Sequence, residues 1–228
     1  MSGTRSQGRP IRDSAVGGKD AILHGVRDFL RENFDSDVSR KGIASFLNVT
    51  PALISYYFPD RYELLENATV PILKNITDQV DYIISSGEPS LSILRNMIAF
   101  YIECHRNEDG IIQCFSNLVV KSDHYHGPDY TFTIRAKTKD FINQKFANDS
   151  ILSYKLNSMA WNIWSICRIV IVEAPAVSDL HRPGAIVGPS ATDRIYTLLT
   201  DGVGLDRLPN QSEQLRAERT PLTSALRR

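Results

Sequence analysis

The sequence predicts an all-α protein, because its apolar side chains recur at spacings of three and four along most of the 228 residues. That spacing is the periodicity of amphipathic helices. The alternation typical of β-strands is hard to find, and no internal repeat of roughly 20–50 residues occurs. Prolines, glycines and short polar runs divide the helical pattern into nine segments, which we predict to be nine helices.

The first predicted helix begins at Lys19 and is interrupted by the polar run 35–37. Its apolar stripe consists of Ile22, Val26, Phe29, Leu30 and Phe34. Ser39 is expected to cap a short second helix that reaches Leu47, because a serine oxygen can accept a hydrogen bond from the unpaired amides at a helix start.

The third predicted helix opens at Thr50 and Pro51, a pair typical of an N-cap followed by a first-turn proline. It is expected to end at Pro59–Asp60. The fourth helix covers Arg61–Ser85 and contains Pro71, which should kink it because proline donates no backbone hydrogen bond.

Five further helices are predicted beyond Gly87. The fifth and sixth are separate segments, Leu91–Ile102 and Ile111–Val119, and the polar loop 122–129 follows them. The last three are marked by three apolar groups: Phe141, Ile142 and Phe146; Leu152, Leu156, Met159, Ile163, Ile166 and Val170; and Ile195, Leu198 and Leu199. The eighth helix is apolar nearly all round, so it must be covered on more than one side.

Composition and charge exclude several classes of protein. Basic and acidic residues balance at 26 each, which disfavours a bulk-basic nucleic-acid coat protein and a long acidic disordered chain. The longest apolar stretch, 163–177, is interrupted by charges and is shorter than the roughly 20 residues that a bilayer requires. That stretch is the reason why we expect no membrane partner. No apolar run follows the N-terminal arginines, so we expect no secretory signal. Three cysteines without metal-ligand spacing fit a reduced cytoplasm and are expected to be buried.

The segment Arg40–Tyr57 is the most informative about function, because two short helices joined by a tight turn describe a helix-turn-helix. Counted from Arg40, the fourth, eighth, tenth, fifteenth and eighteenth positions are large and apolar or aromatic: Ile43, Leu47, Val49, Ile54 and Tyr57. Ala44 is small enough for close helix approach, and Asn48 stands where the turn requires a left-handed backbone. These offsets favour DNA binding, although an ordinary helical hairpin in a larger bundle would also fit them.

Four groups of residues in and just after this segment form a recognisable motif: Ile43-Ala44, Val49-Thr50, the run ISYYFPDR from Ile54 to Arg61, and Glu63-Leu64-Leu65. In these residues the sequence resembles the TetR family of bacterial transcriptional repressors. The match covers 19–65, about a fifth of the chain, and the remainder suits the family only in helix count and length. The resemblance implies an N-terminal three-helix DNA-binding domain followed by a larger helical domain for ligand binding and dimerisation.

Three departures from the family pattern limit which contacts can be carried over. Leu47-Asn48 stands where Ala-Gly is usual, and Ser55 stands where tyrosine is commoner. Ala52-Leu53 stands where Gly-Thr is frequent, which removes a hydroxyl that could reach a phosphate.

If the third helix lies in the major groove, its exposed residues face base edges while flanking groups bind phosphates. The residues expected on that side are Thr50, Pro51, Ala52, Ser55 and Tyr56. None is an arginine, asparagine or glutamine, so DNA shape and half-site spacing should contribute much of the specificity. The resemblance implies phosphate contacts from Tyr57 and Arg61, with Ser39, Arg40 and Lys41 as additional candidates. A solvated helix face would explain Arg40 and Lys41 equally well.

The resemblance further implies a homodimer that binds a palindromic operator on double-stranded DNA and is released by an unidentified small molecule. The eighth and ninth helices are the expected dimer interface. The candidate pocket residues are Met97, Tyr101, Cys104, His105, Phe115, Leu118, Trp161 and Trp164. Core packing would explain each of them as well. We expect the ligand to shift the fourth helix at Pro71 and so change the spacing between the two DNA-binding domains.

No cofactor and no metal are expected. His124 and His126 lack nearby cysteines or paired carboxylates and fit a solvated loop better than a metal site. We also expect no enzyme, because no nucleophile–base pair or phosphate-binding loop can be found. A small all-α homodimeric enzyme and a helical interaction protein without DNA binding are the alternatives, and the second would leave the helix-turn-helix offsets unexplained.

We therefore predict a cytoplasmic transcriptional repressor in four parts. These are a flexible arm 1–18, a helix-turn-helix DNA-binding domain 19–60, a ligand-binding and dimerisation domain 61–206, and a flexible tail 207–228. Residues 1–61 carry nine basic and seven acidic side chains, whereas residues 62–206 carry twelve and seventeen. A mildly positive DNA-binding end and an acidic body would favour docking of that end on phosphates.

Overall fold

The computed structural model describes residues 18–33, 38–121, 125–146, 159–169 and 191–203. Within these ranges it contains eight helices and no strands, which confirms the all-α prediction. The helices are α1 (Lys19–Glu32), α2 (Arg40–Phe46), α3 (Pro51–Tyr57), α4 (Arg61–Ile84), α5 (Ser90–Lys121), α6 (Tyr130–Phe146), α7 (159–169) and α8 (Ala191–Val203). None of these helices combines the length and apolar character needed to cross a bilayer.

Several predictions concern parts of the chain outside the described residues. These are the arm 1–17, Phe34 with the polar run 35–37, His124, both ends of the predicted eighth helix (152–158 and 170–174), and the tail 207–228.

The chain divides into two compact units. The first unit falls within 1–75 and 108–129, and the second within 76–107 and 130–228. Both α4 and α5 pass from one unit into the other as continuous helices. A compact unit reflects packing rather than function, so the domain boundary expected at residue 60 stays a prediction.

The helix starts in the first unit follow the capping residues seen in the sequence. Ser39 Oγ accepts a hydrogen bond of 3.1 Å from the amide three residues further on, and Thr50 Oγ1 accepts one of 3.2 Å in the same way. Asp60 Oδ1 accepts from the amide of Tyr62 at 3.0 Å at the start of α4. Each bond satisfies an amide that has no partner within its own helix, so the predicted starts of α2 and α3 are confirmed.

The prediction of separate fifth and sixth helices is wrong, because α5 runs unbroken from Ser90 to Lys121. The polar run 106–109 and the glycine after it look like a break in the sequence. In the structure Gly110 is buried within the helix, and a Cβ built on it would lie 1.8 Å from the carbonyl oxygen of Leu30. The glycine therefore permits contact between the backbones of α5 and α1. The predicted seventh, eighth and ninth helices correspond to α6, α7 and α8.

Helix α1 also contacts the end of α2, and a side-chain ion pair joins it to α5. A Cβ on Gly25 would lie 2.0 Å from Cδ2 of Leu47, so this glycine leaves room for the residue that ends α2. Arg31 donates from Nε and Nη2 to the two carboxylate oxygens of Glu108 on α5, at 3.0 and 2.9 Å. Paired donation of this kind fixes orientation as well as distance.

In the second unit, buried aromatic and hydroxyl side chains join α5 to α6 and α7. Thr138 donates its hydroxyl proton to the carbonyl four residues earlier, so Tyr101 donates to Thr138 Oγ1, at 2.6 Å. Burial raises the pKa of Tyr101 above its usual value, and the hydroxyl stays protonated at neutral pH. The Tyr101 ring meets Trp164 edge-on, with the ring centroids 5.0 Å apart.

The substitution Gly110→Ala tests the backbone contact between α5 and α1. Alanine is favoured over glycine inside a helix by roughly 1 kcal/mol, so helix propensity alone would stabilise the variant. We expect instead a loss of about 1–3 kcal/mol in the free energy of unfolding, because the added Cβ meets a backbone oxygen. Urea denaturation followed by circular dichroism measures the change, with Asn117→Ala on an exposed position of α5 as the control. A Gly110→Ala variant as stable as this control would contradict the contact.

Candidate nucleic-acid interface

The turn between α2 and α3 is built around Asn48. Within the described ranges it is the one non-glycine residue with a positive φ, at 53°, which confirms the left-handed position expected from the spacing. Asparagine tolerates this conformation better than most residues because its short polar side chain can bond locally. The Asn48 amide donates to the carbonyl of Ser45 at 3.2 Å, and the Val49 amide donates to that of Ala44 at 2.9 Å. These two bonds use carbonyls at the end of α2 that no helical amide reaches.

Fewer residues of the α2–α3 pair are fully buried than the spacing predicts. Ile43, Ala44 and Ile54 are buried, whereas Leu47, Val49 and Tyr57 are only half-buried. Leu47 and Val49 lie in the turn and not in a helix, so they sit at the edge of the packed surface. Phe58, directly after α3, is fully buried, and the Lys19 ammonium lies 4.9 Å from its ring centroid. The buried surface of the α2–α3 pair therefore continues into Phe58, whose ring also attracts the Lys19 cation.

The other side of α3 is open to solvent at its N-terminal end. Thr50, Pro51, Ala52 and Tyr56 are exposed, with Tyr56 at 77%, and Ser55 is half-buried. The Thr50 oxygen is used as the helix cap, which leaves its hydroxyl proton for another partner. The first turns of α2 and α3 carry no acidic side chain, so neither would repel a phosphate at close range.

Some of the residues expected to contact phosphates already form hydrogen bonds within the protein, and others are exposed to solvent. Ser39 Oγ accepts the capping bond of α2. Arg40 is half-buried and donates from Nη2 to the carbonyl of Pro59, so part of its guanidinium joins the start of α2 to the end of α3. Lys41 is exposed, and both a phosphate contact and a solvated helix face fit it.

Tyr57 and Arg61 lie at the junction between α3 and α4. Tyr57 is half-buried and packs edge-on to Tyr56, with ring centroids 5.1 Å apart. Arg61 is also half-buried. Burial raises the pKa of the Cys114 thiol on α5 to about 11, while the positive charge of Arg61 acts in the opposite direction. The charge of Arg61, at the start of α4, therefore interacts electrostatically with a side chain of α5.

The eight candidate pocket residues are divided between the two units. Met97, Tyr101, Cys104, His105, Trp161 and Trp164 belong to the second unit, and Phe115 and Leu118 belong to the first. All except Trp161 are buried. In the second unit the His105 ring lies 4.3 Å from that of Trp164, in the cluster that also contains Tyr101. Trp161 instead packs edge-on to Phe132, at 5.4 Å. A ligand-binding role for these residues stays a prediction.

Cys104, Cys114 and Cys167 are all free and all buried, as expected. Burial raises the pKa of Cys167 to about 12, so this thiol is protonated at neutral pH. His126 is exposed, and across the described ranges no group of three or more histidine, cysteine or acidic residues could hold a metal ion.

Sequence reasoning missed one basic residue of the first unit, Arg27 on α1. Its Nε donates to the carbonyl of Ala68 at 2.9 Å, and its Nη2 donates to that of Asn67 at 3.4 Å. The available signal was Pro71, because a proline within a helix leaves the carbonyl four residues earlier without an amide donor. A donor from a facing helix is one way to satisfy such a carbonyl.

Comparison with protein-family models and with curated proteins finds no match for this chain. The interpretation of the surface therefore depends on its geometry and on the sequence motif from Ile43 to Leu65.

Substitutions at Asn48 test whether the backbone conformation of the turn holds the α2–α3 pair. The Asn48 side chain is exposed, so a change there acts mainly through φ. We expect Asn48→Val to lower the free energy of unfolding by about 1–2 kcal/mol, because a β-branched residue resists the left-handed region. Asn48→Gly should be neutral or stabilising. Thermal unfolding of both variants measures the difference, and equal stabilities would show that the turn does not need a left-handed residue.

Proposed function

We propose that the protein is a sequence-specific DNA-binding transcriptional regulator of the TetR type, acting as a repressor that a small molecule releases from its operator. The observation that carries the proposal is the division of the α2–α3 pair into two sides. Ile43 and Ile54 are fully buried on one side, while Thr50–Ala52 and Tyr56 are exposed on the other. A short helix supported in this way can enter the major groove with its N-terminal residues toward the base edges.

The chemistry of the exposed residues suggests how DNA would be recognised. Pro51 and Ala52 offer apolar surface that suits thymine methyl groups, and the hydroxyls of Thr50 and Ser55 can donate to or accept from base edges. No side chain here can form a bidentate contact with a base, so shape and spacing of the operator would supply much of the selectivity.

Lys41, Tyr57 and Arg61 are the proposed phosphate contacts, with Ser39 and Arg40 beside them. Lys41 is the exposed residue among them, so its ammonium is the most accessible to a phosphate. Arg40 already donates to the Pro59 carbonyl, so a phosphate would use its remaining donors.

A dimer is part of the proposal, because one helix-turn-helix touches too few phosphates for tight binding. The proposed interface consists of α7 and α8, which would form a four-helix bundle with the partner's pair. Ile169 on α7 is 52% exposed, and a large apolar side chain at that exposure is consistent with cover from a second subunit. Two-fold symmetry then requires a palindromic operator.

The small-molecule effector is proposed for the second unit, where Tyr101, His105 and Trp164 form a buried aromatic cluster. Aromatic walls with a few polar groups are typical of ligand sites. For a nearly complete switch, the effector must bind the released state more tightly by about 5.5 kcal/mol. The continuous helix α4, which contains Pro71, is the proposed connection between effector and DNA.

DNA binding is tested by selection from a random double-stranded library long enough for two half-sites. We expect an enriched palindromic sequence, bound with an affinity that falls steeply as salt rises. In fluorescence anisotropy on that sequence, Ala52→Asp should weaken binding roughly 100-fold, because a carboxylate would face the groove and its phosphates. Ala99→Asp makes the same chemical change on an exposed position of α5 and should bind like the wild type.

If no sequence is enriched and no binding occurs at low salt, the regulator proposal is wrong, and the enzyme or the helical interaction protein takes its place. Equal binding by Ala52→Asp and wild type would remove α3 from the interface.

The dimer is tested by light scattering at micromolar concentration without DNA. We expect a mass of twice the 25.6 kDa chain. Ile169→Lys should shift the mass toward the monomer, because an ammonium would be placed in the proposed apolar interface. Val120→Lys is the control, since Val120 is 81% exposed and lies on α5 in the first unit. A monomeric wild type would contradict the dimer.

A further inference from the structure

Pro71 interrupts the backbone hydrogen bonding of α4 within the first unit. The helix is continuous from Arg61 to Ile84 and includes the proline. Because proline has no amide hydrogen, the carbonyl of Asn67, four residues earlier, receives no helical hydrogen bond. A carbonyl without a donor is unfavourable wherever water is excluded, so an outside donor would stabilise the helix at this point.

Arg27 provides that donor from α1. Its Nη2 donates to the Asn67 carbonyl at 3.4 Å, and its Nε donates to the next carbonyl, that of Ala68, at 2.9 Å. The guanidinium is planar and holds its donors in a fixed arrangement, so one side chain can bridge two successive carbonyls. Both bonds are partly buried, which limits competition from water.

Side chains of α4 itself also bond to nearby carbonyls. Asn67 Nδ2 donates to the carbonyl of Glu63 at 2.8 Å, and the fully buried Thr69 donates from Oγ1 to that of Leu65, also at 2.8 Å. Such bonds to the carbonyl one turn earlier compete with helical bonds and bend helices. Side chains therefore donate hydrogen bonds to several carbonyls in the turn before Pro71. Asn67 and Thr69 donate from α4 itself, and Arg27 donates from α1.

We infer that Arg27 is a positioning residue, which fixes α1 to α4 at the backbone gap created by Pro71. Since α1 also packs on the end of α2 through Gly25 and Leu47, the bond connects α4 with the α2–α3 pair inside the first unit. The effect on DNA binding rests on the proposed function, whereas the coupling between Arg27 and Pro71 does not.

A double-mutant cycle on the full chain tests the coupling, using Arg27→Met, Pro71→Ala and both together. Methionine keeps an apolar stem but has no donor, and alanine at position 71 restores the missing amide. We expect Arg27→Met to raise the unfolding equilibrium constant about tenfold in the wild type, because charge-assisted bonds to carbonyls are lost. In the Pro71→Ala background the same change should raise the constant only about threefold, because the Asn67 carbonyl regains a helical donor while the bond to Ala68 is still lost. Arg106→Met, which removes an exposed arginine bonded only within α5, is the control and should not couple to Pro71.

A spectroscopic measurement separates this role from general packing. The ¹³C carbonyl resonances of Asn67 and Ala68 should move in Arg27→Met and recover partly in Arg27→Lys, which restores one donor nitrogen in place of the two that Arg27 uses. Equal effects of Arg27→Met in both backgrounds, or unchanged carbonyl resonances, would overturn the inference. An Arg27→Met protein that folds only in the Pro71→Ala background would support it.

The DNA measurement is made on the selected operator. Arg27→Met should weaken binding about tenfold without changing the preferred sequence, because it touches no base. If the cycle shows coupling but operator affinity is unchanged, Arg27 does not position the α2–α3 pair and this part of the inference is wrong. If no operator exists at all, the proposed function fails while the folding cycle still decides the coupling.

Discussion

The contact between the backbones of α5 and α1 at Gly110 is the constraint on which the first unit depends. No side chain fits between the two helices there, since a Cβ would reach to 1.8 Å from the Leu30 carbonyl oxygen. Helix α1 in turn makes room for the end of α2 at Gly25 and donates to α4 through Arg27. Helix α3 has only seven residues and is too short to be stable alone. Its exposed face therefore exists because α1 and its neighbours hold the α2–α3 pair in place.

Local signals in the sequence predicted what local chemistry decides. The capping oxygens of Ser39 and Thr50 bond as expected, and Asn48 adopts the left-handed conformation that its position requires. Tertiary packing decided the rest. Gly110 resembles a helix end in sequence, yet a helix interior tolerates glycine where another backbone must approach closely. Arg27 could not be recognised from its neighbours, because its partners lie about forty positions away and the need for a donor arises at Pro71.

The sequence predicted which residues of the candidate surface are exposed, but not the hydrogen bonds that its side chains form within the protein. Exposure of Thr50, Pro51, Ala52 and Tyr56 follows from helical periodicity once Ile54 is placed inward. Helical periodicity does not predict the bond from Arg40 to the Pro59 carbonyl, because this bond joins the start of α2 to the segment after α3. Spacing also could not show that the expected pocket residues are divided between two compact units, because α5 continues through both.

Amide chemical shifts during titration with the selected operator test most directly whether the open side of α3 contacts DNA. If it does, the largest changes should occur at Ala52, Ser55 and Tyr56 and at Lys41, at the start of α2. Residues of α6 and α7 in the second unit should change little by comparison. Changes confined to the second unit, or spread evenly over both units, would contradict DNA binding by α3.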